Sequence, residues 1–229
     1  MSRTSETNRA IVLSPETVPV SQTHSHGGAA RPFPCVRLDE PDNSDYVIGR
    51  SRFVWALWHF IGSPIVGSNM LPISRLKSIV LRLFGAAIGR RSYIKPGLKV
   101  KFPWYLTVGD YCWIGEDVWI DNLAPVTIGS NVCVSQSAYL CTGNHDWKSV
   151  NMKLFRRPIV LNDGCWVGAR STICPGVTVG TAAVVAVGCV ATRDIPPYEI
   201  WAGNPASFVR MRTLVSTTIE KDASKNAPA

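Results

Sequence analysis

Aliphatic residues return every six positions along the second half of this chain, with polar or small residues between them. Val167, Ile173, Val179, Val185 and Ala191 share one register, and Gly168 and Gly180 directly follow two of its members. Three earlier sets keep the same spacing: Ile88, Ile94 and Val100; Val108, Ile114 and Ile120; Ile128, Val134 and Leu140. Two extra residues separate consecutive sets. A six-residue beat is neither the 3.6 of a helix nor, alone, the alternation of a simple strand. Fixed-period self-similarity marks a repeat architecture. The pattern predicts a mainly β fold, a parallel β-helix of roughly four coils between Ile88 and Ala191. Each coil points one aliphatic side chain inward from each of three short faces, and small residues turn the corners.

The texture differs outside the repeats. Residues 1–48 are rich in Ser, Thr, Pro and small polar residues without an apolar period, and are expected to be disordered. Residues 49–87 read as a helical cap, with helices expected over Arg50 to Ile61 and Ser74 to Ala87 and with Pro64 and Pro72 separating them. In the second helix Leu76, Ile79, Val80, Leu83 and Phe84 fall on one face. Two roles suit such a cap: covering the open end of the solenoid, or resting a basic, Trp-bearing surface on an anionic membrane. Neither apolar run reaches transmembrane length. Residues 88–212 form the repeat domain, and the beat disappears over a polar, basic loop at 142–159. Residues 213–229 read as a tail.

The chain has 229 residues, enough for one sizeable core. Its seven cysteines contain no C-x-x-C pair, and several sit inside repeats where a small apolar residue would serve. They read as buried thiols of a reducing compartment, so no metal is expected. The start of the chain lacks a secretory pattern, which makes the cytoplasm the expected location. A net charge of +8 arrives without a nucleic-acid motif. An anionic small molecule or a membrane surface is the expected partner, and nucleic acid is not.

The hexad register, the run Cys141-Thr142-Gly143-Asn144-His145-Asp146, the stretch Gly164 to Gly168, Pro175-Gly176-Val177 and the closing Gly203-Asn204-Pro205-Ala206 together resemble the hexapeptide-repeat acyltransferases. Lys101-Phe102-Pro103-Trp104, Cys112 to Glu116 and Asp121 to Pro125 are similar to the exopolysaccharide O-acetyltransferases of the colanic-acid type within that family. The resemblance implies a left-handed β-helix assembled as a homotrimer, with active sites in clefts between neighbouring prisms. It implies acetyl-CoA as cosubstrate and a sugar or lipid-linked glycan as acceptor.

Acyl transfer to a hydroxyl needs a base that works near neutral pH, and histidine suits that role. Of His24, His26, His59 and His145, two lie in the N-terminal segment and one in an apolar helix. His145, in the loop that breaks the coil, is the candidate. Asp146 is a candidate to orient its ring. Asp121 and Asn122 are candidates to meet the acceptor, against a plain turn between coils, and Trp147 to stack on a sugar. Lys148, Lys153, Arg156 and Arg157 are candidates to address an anionic acceptor. For coenzyme A the resemblance points to Trp166, Ala169 and Val187 along the pantetheine arm. It points to Thr192, Arg193 and Arg210 around the adenosine and its phosphates. Ala169 and Ser207 depart from the hydroxyl residue and the arginine that some relatives carry.

Other readings stay open. A γ-type carbonic anhydrase would need three zinc-binding histidines per site, which His145 alone cannot supply. The chain could instead acetylate a small acceptor such as serine, a nucleotide sugar or a free sugar. It could also be a non-catalytic assembly module.

Overall fold

The computed structural model describes residues 35–215. The disorder expected for residues 1–34 and for the end of the tail from 216 lies outside the described residues. The Ser51 hydroxyl caps α1 (Arg52–Leu57) by accepting the Val54 N–H. A π-helical turn over Trp58–Gly62 follows and leads directly into α2 (Ser63–Gly67). Pro64 was expected to separate the helices. It lies instead in the first turn of α2, where proline's missing N–H costs little, and the wide turn before it absorbs the change of register.

Helix α3 (Ser74–Leu83) corrects a second expectation. Val80 and Leu81 turn inward and join Trp58 and Val66 in one core with Ile88, Ile94 and Val100. Leu76, Ile79 and Leu83 turn outward instead of packing beside Val80. Their inward place is taken by Lys77, fully buried, whose ammonium donates to the carbonyls of Val66 at 2.7 Å and Ser68 at 2.9 Å. These carbonyls end α2 and would otherwise lack partners. Burial lowers the Lys77 pKa. The Trp58 indole donates to Val100 O, and the Arg82 guanidinium to Ile88 O. The helices therefore seal the first coil.

Five coils follow, where about four were expected. The first is β1 (Ala87–Ile88), β2 (Tyr93–Ile94) and β3 (Lys99–Val100); the second β4 (Leu106–Val108), β5 (Trp113–Ile114) and β6 (Trp119–Asp121); the third β7 (Val126–Ile128), β8 (Cys133–Val134) and β9 (Tyr139–Cys141). An antiparallel hairpin, β10 (Gly143–His145) and β11 (Leu154–Arg156), then leaves the prism. The fourth coil is β12 (Ile159–Leu161), β13 (Trp166–Val167) and β14 (Thr172–Ile173), and the fifth β15 (Thr178–Val179), β16 (Val184–Val185) and β17 (Val190–Ala191). Each coil gives one strand to each of three parallel sheets, here faces A, B and C in chain order. Face B gains β18 (Glu199–Ala202) and is closed by the antiparallel β19 (Ser207–Met211). All fourteen residues of the hexad register are buried.

The corners are not turned by small residues alone. Arg91, Tyr111 and Asn131 take left-handed conformations at φ 53–58° at the same A-to-B corner of successive coils. That geometry costs a non-glycine residue about 1–2 kcal/mol. The next coil returns a hydrogen bond at each step: Tyr111 N–H to Arg90 O, and Asn131 N–H to Asp110 O.

The extra residues between hexad sets leave at one corner, between faces C and A. A 3-10 turn over Pro103–Tyr105 fills it after the first coil, Asn122 to Pro125 after the second, and the hairpin after the third. The Asn122 side chain is fully buried there, accepting from Phe102 N–H at 2.9 Å and donating to Phe102 O at 2.6 Å. Thr142 repeats the device one coil up, its hydroxyl accepting from Ala124 N–H and donating to Asp121 O. Replacing Asn122 by leucine strands the Phe102 N–H in an apolar pocket, while the Phe102 carbonyl keeps the Tyr105 N–H at 3.0 Å. The substitution is expected to lower stability by about 1–3 kcal/mol in chemical denaturation, with the oligomeric state unchanged.

Candidate active site

The hairpin that interrupts the coils is held at its base by packing. Gly143 begins it where an added Cβ would stand 2.5 Å from Leu123 Cδ1. Leu154, Leu123 and Phe102 form a second small core, joined by Ile48, Trp55 and Trp104. Residues 36–48, expected to be disordered, are corrected here. Arg37 N–H reaches Val150 O at 2.7 Å, Asp42 N–H reaches Asn151 O at 2.9 Å, and Leu154 N–H returns to Asp42 O at 2.8 Å. Backbone pairing with the loop, which composition does not reveal, orders this strap.

His145 ends β10 and is exposed. Its ring Nδ1 stands 2.6 Å from the carbonyl oxygen of Met152, a residue in the left-handed region at φ 48°. A carbonyl can only accept, so Nδ1 carries the hydrogen and Nε2 keeps its lone pair. The expected orienting role of Asp146 is corrected: its carboxylate takes the Lys148 N–H at 3.0 Å and shapes the loop turn. A local Asx turn competes better for an adjacent carboxylate than a ring pointing along another direction does.

His145 opens onto a cleft of about 450 Å³ with Asn43, Tyr46, Lys101, Asp121, Tyr139 and Asn144. The Asp121 carboxylate receives the Lys101 ammonium at 3.2 Å and the Tyr139 hydroxyl at 3.3 Å. Burial first, then Cys141 and Asp121, raises the Tyr139 pKa, so that hydroxyl stays protonated. Asp121 and His145 are thus brought together. Asn122 is not, because its amide is spent on Phe102 and closed from the cleft. Trp147 is exposed outside this lining, beneath the Lys148 ammonium. Among the loop cations, Arg156 is engaged by Leu123 O at 2.9 Å, and Arg157 lies over Phe155.

Tyr46, Asn43, Lys101 and Tyr139 escaped the sequence reading. Lys101, Asp121 and Cys141 share one signal: each follows the inward residue of a face-C strand, twenty residues apart. The Met152 carbonyl leaves no side-chain signal.

A second groove, about 540 Å³ and mainly apolar, runs along the corner between faces B and C. Trp166, Ala169 and Val187 line it together with Ser135, Val184 and Ile200. The Trp166 indole donates to Ser135 Oγ at 2.9 Å. Gly168 is required there: a Cβ would meet Val185 O and Val187 N at 2.7 Å. Thr192, Arg193 and Arg210 do not line this groove. Thr192 and Arg193 follow β17 on face C, where Arg193 stacks over Trp201 at 5.2 Å, and Arg210 lies on the outer strand β19. The His145 cleft and this groove share no lining residue and belong to different corners of the prism.

The cysteines have a structural place. Cys112, Cys165 and Cys189 are buried, and burial, with Cys112 nearby, pushes the Cys165 thiol up to about 12. Among the described residues no three His, Cys, Asp or Glu side chains are grouped to hold a metal ion.

The family described as the hexapeptide repeat of succinyl-transferase matches residues 158–193. The chain is 38% identical over 156 residues to the Escherichia coli K12 protein named "Putative colanic acid biosynthesis acetyltransferase WcaF", across 68% of this chain and 86% of that one. It is 30% identical over 152 residues to the galactoside O-acetyltransferase of the same strain, across 62% and 71%. Among solved structures it superposes on the hexapeptide-repeat acetyltransferase VCA0836 of Vibrio cholerae complexed with acetyl coenzyme A, with a TM-score of 0.64 and 25% identity over 70% and 88% of the chains.

Burial also raises the Cys112 and Cys189 pKa, which disfavours the reactive thiolate in all three. Ellman's reagent is therefore expected to leave Cys112, Cys165 and Cys189 unmodified in the folded protein and to reach them on denaturation, read by peptide mass spectrometry.

Proposed function

This chain belongs to the hexapeptide-repeat acetyltransferase family, and we propose that it moves an acetyl group from acetyl-CoA to a sugar hydroxyl in exopolysaccharide biosynthesis. The observation that carries the reading is the Met152 carbonyl locking the His145 tautomer beside Asp121 in an open cleft. Nε2 takes the proton from the acceptor hydroxyl while that oxygen bonds to the acetyl carbonyl carbon. The tetrahedral intermediate then collapses, the C–S bond breaks, and the proton passes from the imidazolium to the departing coenzyme A sulfur. Asp121, held by Lys101 and Tyr139, accepts a second hydroxyl of the sugar and sets its orientation. The apolar wall of Trp166, Val184 and Val187 suits the pantetheine arm, and Arg193 and Arg210 suit the phosphates. The colanic-acid relative favours a sugar or lipid-linked glycan as acceptor over serine, a nucleotide sugar or a free sugar.

The working unit in this reading is a homotrimer. In-register outward columns differ between the faces: face A shows Thr107, Thr127, Val160 and Thr178, face B Tyr93, Trp113, Cys133 and Trp166, face C Trp119, Tyr139 and Thr172. Outward aromatic residues on faces B and C, with none in the column of face A, suit a heterologous ring in which face B of one copy meets face C of the next. Such a ring sets the groove of one protomer against the histidine of its neighbour. No helix among the described residues is long and apolar enough to cross a membrane. We place the enzyme in the cytoplasm, at the inner face of the membrane where glycan carriers are assembled.

His145→Ala is expected to lower kcat/KM for acetyl-CoA-dependent transfer by about 10²–10⁴-fold, as loss of a general base does. Asp146→Asn should leave the pH profile in place. Mass spectrometry of lipid-linked sugars, nucleotide sugars, free sugars and serine should find the acetyl group on a sugar hydroxyl. Undiminished transfer by His145→Ala would turn the reading toward a non-catalytic module, and acetylation of serine alone toward a small acceptor.

A further inference from the structure

The helical cap leaves a surface that neither acetyl transfer nor the sealing of the first coil uses. Arg75, Leu76, Ile79, Arg82 and Leu83 share the outward side of α3, opposite the buried Lys77, Val80 and Leu81. Leu83 is 79% exposed. On the continuous helix from α1 to α2, Phe53 and Phe60 are each 72% exposed, and Met70 in the connection is 93% exposed. Large exposed apolar side chains concentrated on the two helical segments of the cap and their connection mark an interaction surface.

Charge on the same region of the chain is one-signed. Between Asp45 and Asp110 the sequence carries ten of its 24 Lys and Arg residues and none of its 16 Asp and Glu residues. Lys77 is buried, and Arg90, Lys95 and Lys101 pair with Asp110, Glu116 and Asp121 of the next coil, whereas Arg50, Arg52, Arg75, Arg82, Arg91 and Lys99 have no ion-pair partner among the described residues. An acidic polymer would use that charge and leave Phe60, Met70 and Leu83 in water. A second copy of the cap would bury the apolar residues and set two strongly basic surfaces face to face. A bilayer rich in anionic headgroups satisfies both properties: acyl chains receive the Phe and Leu side chains while the arginines stay at the phosphates.

We propose that the outward face of the helical cap docks the enzyme on an anionic lipid surface. Phe53, Phe60, Met70 and Leu83 are the inserting residues, and Arg75 and Arg91 meet the headgroups. The docking is independent of the acceptor's identity and survives failure of the acetyl-transfer reading. Because the cap lies below the first coil, the docked prism stands with its closing strand β19 away from the lipid.

The test is flotation of the full chain with phosphatidylcholine vesicles made with and without phosphatidylglycerol. Wild-type protein is expected to float with the anionic vesicles at least about tenfold more tightly than with neutral ones, and to be released by salt. Phe60→Ser/Leu83→Ser and Arg75→Glu/Arg91→Glu should each weaken that binding by at least about tenfold while keeping the wild-type unfolding temperature and oligomeric state. Failure of the wild type to float, or equal flotation by both variants, would overturn the proposal. So would sedimentation showing assemblies that Phe60→Ser/Leu83→Ser halves in mass, which assigns the face to a second copy. Flotation gained only when residues 1–34 are removed would assign it to that segment.

Discussion

A coil whose interior is closed by three aliphatic side chains has no room for an extra residue except at a corner, and this steric constraint organises the molecule. Parallel pairing between coils repeats every inward position directly above the last, so Ile114, Val134, Val167 and Val185 stack in one column of face B. A residue added within a strand would turn that column outward. Additions are therefore expelled, and here they leave at the corner between faces C and A. The first is a short turn, the second a buried asparagine bridge, the third a hairpin that carries the catalytic candidate. The site is thus a product of the same packing that makes the prism.

Close packing also explains which polar groups are interior. Asn122 and Thr142 bridge adjacent coils where the widened corner opens the backbone ladder, and Lys77 closes the end of α2. Asn122 answers the Phe102 N–H, Thr142 the Ala124 N–H, and Lys77 the carbonyls at the end of α2. The cleft beside them is lined by a single carboxylate, Asp121, held between a lysine and a tyrosine.

The repeat was legible because one inward residue per six is a strong, regular signal, and the loop was legible as its interruption. His145 stood out as the histidine placed where the repeat breaks. What the sequence hid follows from the same physics. Asn122 beside Asp121 looks like a polar pair facing one ligand, yet alternation sends one out to the cleft and the other in to Phe102. Helix α3 has apolar residues on two sides, and periodicity alone cannot say which side meets the core. The strap at 36–48 binds through its backbone, so composition gives no warning. The carbonyl of Met152 is equally silent, because every residue has one.

The histidine cleft and the apolar groove sit on different corners of one prism, so the proposed transfer requires the groove of one copy to meet the histidine of another. Complementation between subunits tests this most directly. His145→Ala and Ala169→Trp chains, each inactive alone, are mixed, dissociated and reassembled, and acetyl-CoA-dependent transfer is measured on the mixed trimers. Random reassembly is expected to restore about a quarter of the wild-type activity, because one interface in four then joins an intact histidine to an intact groove. Mixed trimers that stay inactive would contradict the account and place both halves of the site within a single chain.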